Sequence, residues 1–386
     1  MINKSVDSYC NEKFTWLSLD FEKKLCYSCC KAYPEKIDLS WLEKNPGQIF
    51  NTDLLKSERQ NMLENIPVKS CYSACDVPES LGLPSRRQQR GLEKTHTDIH
   101  ARPETLNIIL GSTCNLTCSY CCKQYSTAWL HDIKLNGVYL DSDRFNLVPL
   151  DHVLLKVSQK EHENTDSFSL LLDEVKSFDN LKTVYITGGE PFLYNRLSSV
   201  LESIPSSVEI VVYTGLGVNH TRLHNQLNKI QHMTNLKLVV SAENIDKFYE
   251  FNRYGNAYKD FETNLKLLID SGLSVTFLSV ISNLTVFGLK DFVDKYKHIG
   301  INYDFCFDPD YLNVHVLDNA SKQELQQSLE HSTVACKDAI TQAMSIEPTQ
   351  KQKQNFSQFV KEFAGRRNLD LGIFPNSLIG WLNHVV

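Results

Sequence analysis

The sequence predicts an α/β fold that is built on a parallel sheet. Between residues 101 and 310, short runs of β-branched and apolar residues alternate with longer segments of helical periodicity. Such alternation places consecutive strands side by side in one parallel sheet with right-handed crossovers. A cysteine-rich segment precedes this region, and a segment of helical periodicity follows it. We therefore expect three units, at residues 1–100, 101–310 and 311–386.

The composition is that of a globular protein without a membrane-spanning segment. The chain has 386 residues, of which 42% are hydrophobic and 22% are charged, enough for a sizeable core. No apolar run is long enough to cross a bilayer, and the first residues lack the apolar core of a signal peptide. We therefore expect a cytoplasmic protein. The net charge of −6 argues against a long nucleic acid as a partner.

The distribution of cysteines favours metal centres over disulfides. The chain has 12 cysteines, and all except Cys306 and Cys336 lie in its first third. In a reducing compartment, cysteines grouped in this way indicate metal binding. We expect Cys306 and Cys336 to be ordinary buried thiols.

The first unit is predicted to contain a hairpin, a helix and a cysteine pair. Residues 15–19 and 24–28 have the pattern of two strands around a charged turn. A CxxxC pair, Cys71 and Cys75, follows the helix, and a small unit with a thin core is a natural place for a metal site. The residues at helical spacing are Leu54, Leu55, Arg59, Met62 and Leu63.

A strand that leads into a cysteine loop is the centre of the second unit. The apolar run at residues 106–110 is followed by Cys114, Cys118 and Cys121 in CxxxCxxC spacing. The carboxyl end of a strand is where α/β sheets build their sites. Three thiolates can hold a four-iron cluster with one iron free, or take part in a zinc site. Cys122 directly follows Cys121, so its side chain is poorly placed to complete the same cluster. A further alternative to a metal site is that these cysteines are simply buried thiols.

A second motif follows another predicted strand, at residues 183–187. Gly188 and Gly189 allow a close approach of the backbone, while Pro191 stiffens the turn behind Glu190. Taken alone, this tetrapeptide is equally consistent with a tight turn between a strand and a helix. The other predicted strands lie at residues 208–213, 236–240, 274–281 and 301–307, with helices between them at residues 196–204, 261–270 and 290–298.

With both motifs present in this order, each after a strand, the chain resembles the radical S-adenosylmethionine (SAM) superfamily. The resemblance implies a partial (β/α)6 barrel with a 4Fe–4S cluster held by Cys114, Cys118 and Cys121. It also implies SAM at the free iron, cleaved reductively to a 5′-deoxyadenosyl radical that abstracts a hydrogen atom from the substrate. The residues that the resemblance assigns to SAM binding are Tyr120, Gly188, Gly189, Glu190, Pro191, Ser241, Glu243 and Arg253.

Four of these assignments come from particular places in the family pattern. Tyr120 can lie beside the adenine ring. Ser241 and Arg253 match a serine and an arginine that hold the SAM carboxylate and ribose in SPASM-type enzymes, and a planar guanidinium suits a carboxylate. Glu243 occupies a place where family members often have an acidic residue near the ribose.

Residues 1–100 resemble the SPASM/twitch module, which holds an auxiliary cluster in part of the superfamily. The resemblance implies a second 4Fe–4S cluster, with Cys26 as a competitor for one position. The module normally follows the barrel, and the glycine expected at the hairpin turn is absent here. A zinc site built from the same cysteines is the alternative. The implied ligands are Cys10, Cys71, Cys75 and one of Cys29 or Cys30; the other matching residues are Arg59, Met62, Leu63, Glu79, Gly82, Ser85 and Arg86.

The remaining segments are a long connection and a helical extension. Residues 123–175 are predicted to hold an insertion near the mouth of the barrel, with a helix at residues 165–177. Residues 311–386 are predicted to pack as helices against the barrel. The apolar residues on their predicted faces are Leu325, Leu329, Cys336, Ile340 and Met344, then Phe356, Phe359, Val360 and Phe363.

The resemblance implies an iron–sulfur oxidoreductase of the maturase type that acts on a peptide or protein side chain. It also implies an electron donor such as flavodoxin or ferredoxin. Two other hypotheses are open: a radical SAM enzyme that acts on a small metabolite or a nucleotide, and a non-catalytic zinc-binding scaffold.

Overall fold

The computed structural model describes residues 8–29, 32–76, 79, 85–89, 93–140 and 165–384. Cys30 and Gly82 lie outside the described residues, as does the central part of the predicted insertion, at residues 141–164. The strands are β1 (Trp16–Asp20), β2 (Leu25–Tyr27), β3 (Glu35–Lys36), β4 (Thr105–Ile109), β5 (Thr117–Cys118), β6 (Thr183–Thr187), β7 (Glu209–Thr214), β8 (Leu236–Ser241), β9 (Arg253–Tyr254), β10 (Ser274–Ile281) and β11 (Ile301–Phe305).

Six parallel strands form the centre of the sheet, in the order β11-β10-β8-β7-β6-β4. The predicted α/β fold with a parallel sheet is therefore confirmed, and each of the six strands begins and ends within two residues of its predicted bounds. Side chains alternate along β6: Val184 and Ile186 are fully buried, whereas Tyr185 and Thr187 are half-buried. Tyr185 and Thr187 therefore share the half-buried face of the sheet, and Val184 and Ile186 share the buried face.

The N-terminal hairpin extends this same sheet. Strand β1 pairs in parallel with β4, with Ser18 opposite Asn107, and β2 and β3 continue the sheet in antiparallel pairing. The result is a nine-stranded sheet that crosses the boundary expected at residue 100. A second link joins the two regions, because the buried Glu174 carboxylate accepts hydrogen bonds from the N–H groups of Gly47, at 2.5 Å, and Ile49, at 3.1 Å.

Helices connect the strands of the sheet, and further helices follow the last strand, β11. Among the described residues, none of them is long and apolar enough to cross a membrane. Their bounds are α1 (Glu12–Thr15), α2 (Leu39–Lys44), α3 (Asp53–Leu63), α4 (Arg86–Gln89), α5 (Thr127–Asn136), α6 (Thr165–Ser177), α7 (Leu197–Glu202), α8 (His220–Ile230), α9 (Asp246–Asn252), α10 (Tyr258–Asp270), α11 (Leu289–Tyr296), α12 (Asn319–Glu330), α13 (Lys337–Met344), α14 (Gln350–Arg367) and α15 (Asn376–His384).

The C-terminal helices bury the apolar faces that the sequence indicates. Helix α14 begins at a capping box formed by Thr349 and Gln352, which satisfies free N–H groups of its first turn. Its buried stripe contains Phe356, Phe359 and Phe363, all fully inaccessible. The ring of Phe363 lies 5.8 Å from that of Trp129 on α5, so α14 packs beside the cysteine loop.

Candidate active site

The loop that follows β4 brings three cysteines together. The thiols of Cys114, Cys118 and Cys121, called the loop cysteines below, lie within electrostatic range of one another. Cys118 is buried, whereas Cys114 and Cys121 are half-buried. A backbone hydrogen bond of 2.9 Å from Cys121 N–H to the Cys118 carbonyl tightens the turn between two of them. The structure thus places the three thiols in one short loop, and their joint binding of a cluster stays a prediction.

The GGEP segment at residues 188–191 packs directly on this loop. Gly189 N–H donates to the Gly111 carbonyl and Glu190 N–H donates to the Thr113 carbonyl, both at 2.8 Å. A Cβ atom on Gly189 would lie 2.2 Å from the Thr113 oxygen, so no side chain fits there. Gly188 has a φ of +118°, and its Cβ would lie 2.5 Å from the Gly111 oxygen. The two glycines are therefore required by the contact between the two motifs.

The side chain of Glu190 binds the protein itself. Its carboxylate accepts hydrogen bonds from Thr214 Oγ1 at 2.7 Å, Gly215 N–H at 3.0 Å and Phe192 N–H at 3.2 Å. Burial raises the pKa of this carboxyl, and these hydrogen bonds oppose the shift. Glu190 thus fixes the loop after β7 at the mouth of the barrel, a role that the sequence does not indicate.

Arg253, Glu243 and Tyr120 form a buried cluster behind the loop cysteines. One amino group of Arg253 donates to Glu243 Oε2 at 2.8 Å and also contacts the Tyr120 hydroxyl. The other lies 3.8 Å from the Cys118 sulfur, because β9 pairs with β5 and sets Arg253 opposite Cys118. The Arg253 Nε–H has no hydrogen-bond partner among the described residues. Ser241 ends β8 nearby and is half-buried.

The donor set fits a soft metal centre. Burial raises the pKa of Cys114 to about 12 and that of Cys118 to about 11, so these thiols are protonated until a metal displaces the proton. Thiolates are the ligands that iron–sulfur clusters use. Across the described ranges, no group of three or more His, Cys, Asp or Glu side chains already has the spacing of a metal site.

Two supports of the loop were not predicted from the sequence. Ser119 Oγ donates to Asn252 Oδ1 at 2.8 Å, and Ser119 N–H donates to the Asn252 carbonyl at the same distance. On the opposite side, the buried Trp129 indole donates to the Cys118 carbonyl at 3.0 Å. Arg367, at the end of α14, donates to Thr117 Oγ1 at 2.9 Å. The adjacency of Asn252 to Arg253 and of Ser119 to Tyr120 is the only sequence signal for the first support.

The N-terminal segment contains a second group of thiols. Cys10 lies within electrostatic range of Cys71 and Cys75, and these three, the N-terminal cysteines below, are buried. Lys13 lies near Cys71, and Arg87 lies near Cys75. Burial raises the pKa of Cys10 to about 11.

Two further cysteines of this segment have acidic partners. Cys29 Sγ donates to Glu12 Oε2 at 3.2 Å. Cys26 lies 3.8 Å from Glu35 Oε2, in the lining of a cavity of about 200 Å³. The place of Cys29 or Cys26 in a shared metal site stays a prediction.

Comparison with known families gives one match. The model of the Radical SAM superfamily matches residues 108–297. The match spans a little under half of the chain, and the matched range contains the loop cysteines and the GGEP segment. No curated protein matches the chain.

Several solved structures show a weak likeness to the chain. The structure of native anSMEcpe with bound AdoMet is 14% identical, with a TM-score of 0.35, and the match covers 67% of this chain and 59% of that chain. Streptococcus suis SuiB bound to S-adenosylmethionine is 15% identical, with a TM-score of 0.34, and the match covers 85% of this chain and 68% of that chain. At these scores the likeness carries no argument about this chain.

Proposed function

We propose that the protein is a radical SAM enzyme in which the loop cysteines hold the catalytic 4Fe–4S cluster. The observation that carries the proposal is the backbone pairing of the cysteine loop with the GGEP segment, at 2.8 Å in two places. The two motifs are 67 residues apart in the sequence, between Cys121 and Gly188. Their direct contact supports one shared site at the carboxyl ends of the strands.

The residues around the loop cysteines would bind and orient SAM. When bound, the cluster and SAM supply an electron and a 5′-deoxyadenosyl radical that abstracts hydrogen. We assign the amino group of SAM to the backbone of the GGEP segment and to Glu190, and the carboxylate and ribose to Ser241, Glu243 and Arg253. Arg253 keeps an unpaired Nε–H for an anionic group, and its charge is already held in place by Glu243. The Tyr120 ring would lie beside the adenine.

We also propose a second 4Fe–4S cluster at the N-terminal cysteines, with Cys29 or Cys30 as the fourth ligand. Three buried thiols that share one region support this assignment, as do the cations Lys13 and Arg87 beside them. A positive charge near a thiol favours the thiolate that a metal needs. The maturase-type subclass and the SPASM/twitch-like identity of residues 1–100 are part of the same proposal.

For the substrate we propose a peptide or protein side chain, with a flavodoxin or ferredoxin as electron donor. The half-buried face of the sheet carries a row of aromatic rings, in which Trp16 stacks on Tyr185 at 5.6 Å and Tyr185 lies 6.1 Å from Tyr213. A polar row beside it runs from Ser18 through Asn107 to Thr187. Aromatic faces flanked by amide and hydroxyl groups fit an uncharged side chain on a peptide.

The test is to reconstitute the protein anaerobically and to add SAM with dithionite. We expect about eight irons per chain, since two four-iron clusters are proposed, and 5′-deoxyadenosine detectable by mass spectrometry. Cys118→Ala should abolish 5′-deoxyadenosine, whereas Cys336→Ala, at a half-buried thiol before α13, should not. A colourless protein with stoichiometric zinc, or product formation by Cys118→Ala, would contradict the proposal.

A further inference from the structure

The turn between β1 and β2, at residues 21–24, contacts both ends of the cysteine loop. Near the start of the loop, Glu22 Oε2 accepts hydrogen bonds from Ser112 N–H at 2.6 Å and from Ser112 Oγ at 2.8 Å. Just after the last loop cysteine, Lys23 Nζ donates to the Gln124 carbonyl at 2.7 Å. Lys23 also lies 5.4 Å from the centre of the Tyr125 ring. The loop cysteines lie between these two points of contact.

The turn is itself held rigidly. Lys23 N–H donates to Asp20 Oδ1 at 2.8 Å, and the Lys23 ammonium lies 3.6 Å from Asp20 Oδ2. Phe21 N–H donates to the Ile109 carbonyl at 2.9 Å, which continues the pairing of β1 with β4. The side chains of Glu22 and Lys23 therefore start from a fixed backbone, so that little conformational entropy is lost when they bind the loop.

The packing around Glu22 leaves no room for a side chain at Gly111. A Cβ atom on Gly111 would lie 2.6 Å from the Tyr194 hydroxyl and 3.0 Å from Glu22 Oε2. The same Tyr194 hydroxyl accepts a hydrogen bond of 2.7 Å from Thr113 N–H. Glu22 and Tyr194 thus hold the backbone N–H groups of Ser112 and Thr113, the two residues that lead into Cys114.

The other end of the hairpin lies at the N-terminal cysteines. Cys10 comes shortly before β1, and Cys29 follows β2 by two residues. The buried Lys13 ammonium links α1 to the residue that follows β2, because it donates to Ser28 Oγ at 2.6 Å. It also contacts Glu58 on α3. Six residues separate Lys23 from Cys29, which is about 20 Å of extended chain. One hairpin therefore connects the two groups of cysteines.

We propose that Glu22 and Lys23 are positioning residues that hold the cysteine loop for its metal centre. On this inference, the N-terminal segment is a structural part of the proposed radical SAM site. That the loop holds a metal centre rests on the proposed function. The contacts of Glu22 and Lys23 with the loop do not depend on any bound group. The inference can therefore be tested on the cluster-free protein.

The first measurement is amide hydrogen exchange in the cluster-free, full-length chain. We expect Glu22→Gln to speed exchange of the Ser112 amide by about tenfold or more, because a hydrogen bond to a charged acceptor is replaced by a weaker one. Lys23→Gln should speed exchange in peptides that cover residues 122–126. The control is Glu104→Gln, since the half-buried Glu104 pairs with the exposed Lys182 at 2.6 Å, at the end of β4 opposite to the loop. Glu22→Asp, which keeps the charge, should recover part of the protection.

The second measurement follows reconstitution. We expect the SAM-induced change in the electron paramagnetic resonance spectrum of the reduced cluster to be lost or broadened in Glu22→Gln and kept in Glu104→Gln. Exchange in the loop that is the same in Glu22→Gln, Lys23→Gln and the control would overturn the inference. If the wild type binds no iron while both variants still loosen the loop, the positioning role stands and the proposed function fails.

Discussion

The two groups of cysteines differ in exposure. Two of the three loop cysteines are half-buried, and the backbone of their loop pairs with the GGEP segment. The N-terminal cysteines are each no more than 6% exposed. A metal centre with an open position needs access for an exchangeable ligand, whereas a structural or electron-carrying centre does not. Under the proposed function, the more exposed loop group is therefore the one expected to present a metal to SAM.

The two groups are alike in the kind of charge beside them. Arg253 lies next to Cys118, and Lys13 lies near Cys71. Each of these cations is already paired with a buried carboxylate, Glu243 in the first case and Glu58 in the second. A paired cation keeps a fixed position and lowers the cost of a nearby thiolate without being an unpaired buried charge itself. In both groups, a cation is thus already fixed beside the thiols before any metal binds.

The largest expected effect comes from removing one cysteine from each group in turn. Cys121→Ala and Cys75→Ala should each lower the iron content from about eight to about four per chain, because each removes one cluster. Only Cys121→Ala should abolish 5′-deoxyadenosine formation from SAM and dithionite, since only the loop group is open to SAM. Iron analysis and mass spectrometry on the same preparations check both expectations.

The comparison would fail if both variants behaved alike. Loss of 5′-deoxyadenosine in Cys75→Ala, at an iron content of about four, would show that the two groups act as one catalytic unit. An unchanged iron content in Cys75→Ala would remove the N-terminal cysteines from metal binding altogether.

Removing the cation beside the N-terminal group should destabilise the fold. Lys13→Met leaves the Glu58 carboxylate buried without its partner and takes a donor from Ser28 and Ser70. Breaking a buried ion pair from one side typically costs 3–5 kcal/mol, so we expect a loss of about that size in the free energy of unfolding. Urea denaturation of the cluster-free protein measures it.

The matched control is Lys295→Met. Lys295 forms an exposed ion pair with Glu262, and a loss of less than about 1 kcal/mol is expected there. If Lys13→Met cost no more than this control, the buried pair would not be a source of stability. The N-terminal group would then be held only by its sheet pairing and its apolar contacts.

Local patterns predicted the parallel sheet and the two central motifs well. The six strands are apolar runs bounded by polar residues, and burial of such runs on both sides of a parallel sheet is general. The close backbone contact at Gly188 and Gly189 was also predictable from the sequence, because few residues other than glycine fit such a contact. These features depend on neighbouring residues in the chain.

The remaining features depend on pairs of residues far apart in the chain. The pairing of β1 with β4 sets Ser18 beside Asn107, 89 residues away, and no local signal specifies the partner of a strand. The bond from Ser119 to Asn252 spans 133 residues. Glu22 belongs to a charged turn, and no pattern in the sequence indicates that its side chain binds another part of the protein. Its role is visible only once Ser112 lies next to it.

The smallest expected effect concerns Cys26, the competitor for a place in the N-terminal group. Its thiol points to Glu35, whose carboxylate also accepts a hydrogen bond of 3.0 Å from Thr52 Oγ1. Cys26→Ser puts a hydroxyl at this position, where Glu35 can accept its hydrogen bond. We therefore expect an unchanged iron content and a change in the free energy of unfolding of about 1 kcal/mol or less. A drop in iron towards four per chain would instead make Cys26 a ligand, and the N-terminal group would have to rearrange around β2 to bind metal.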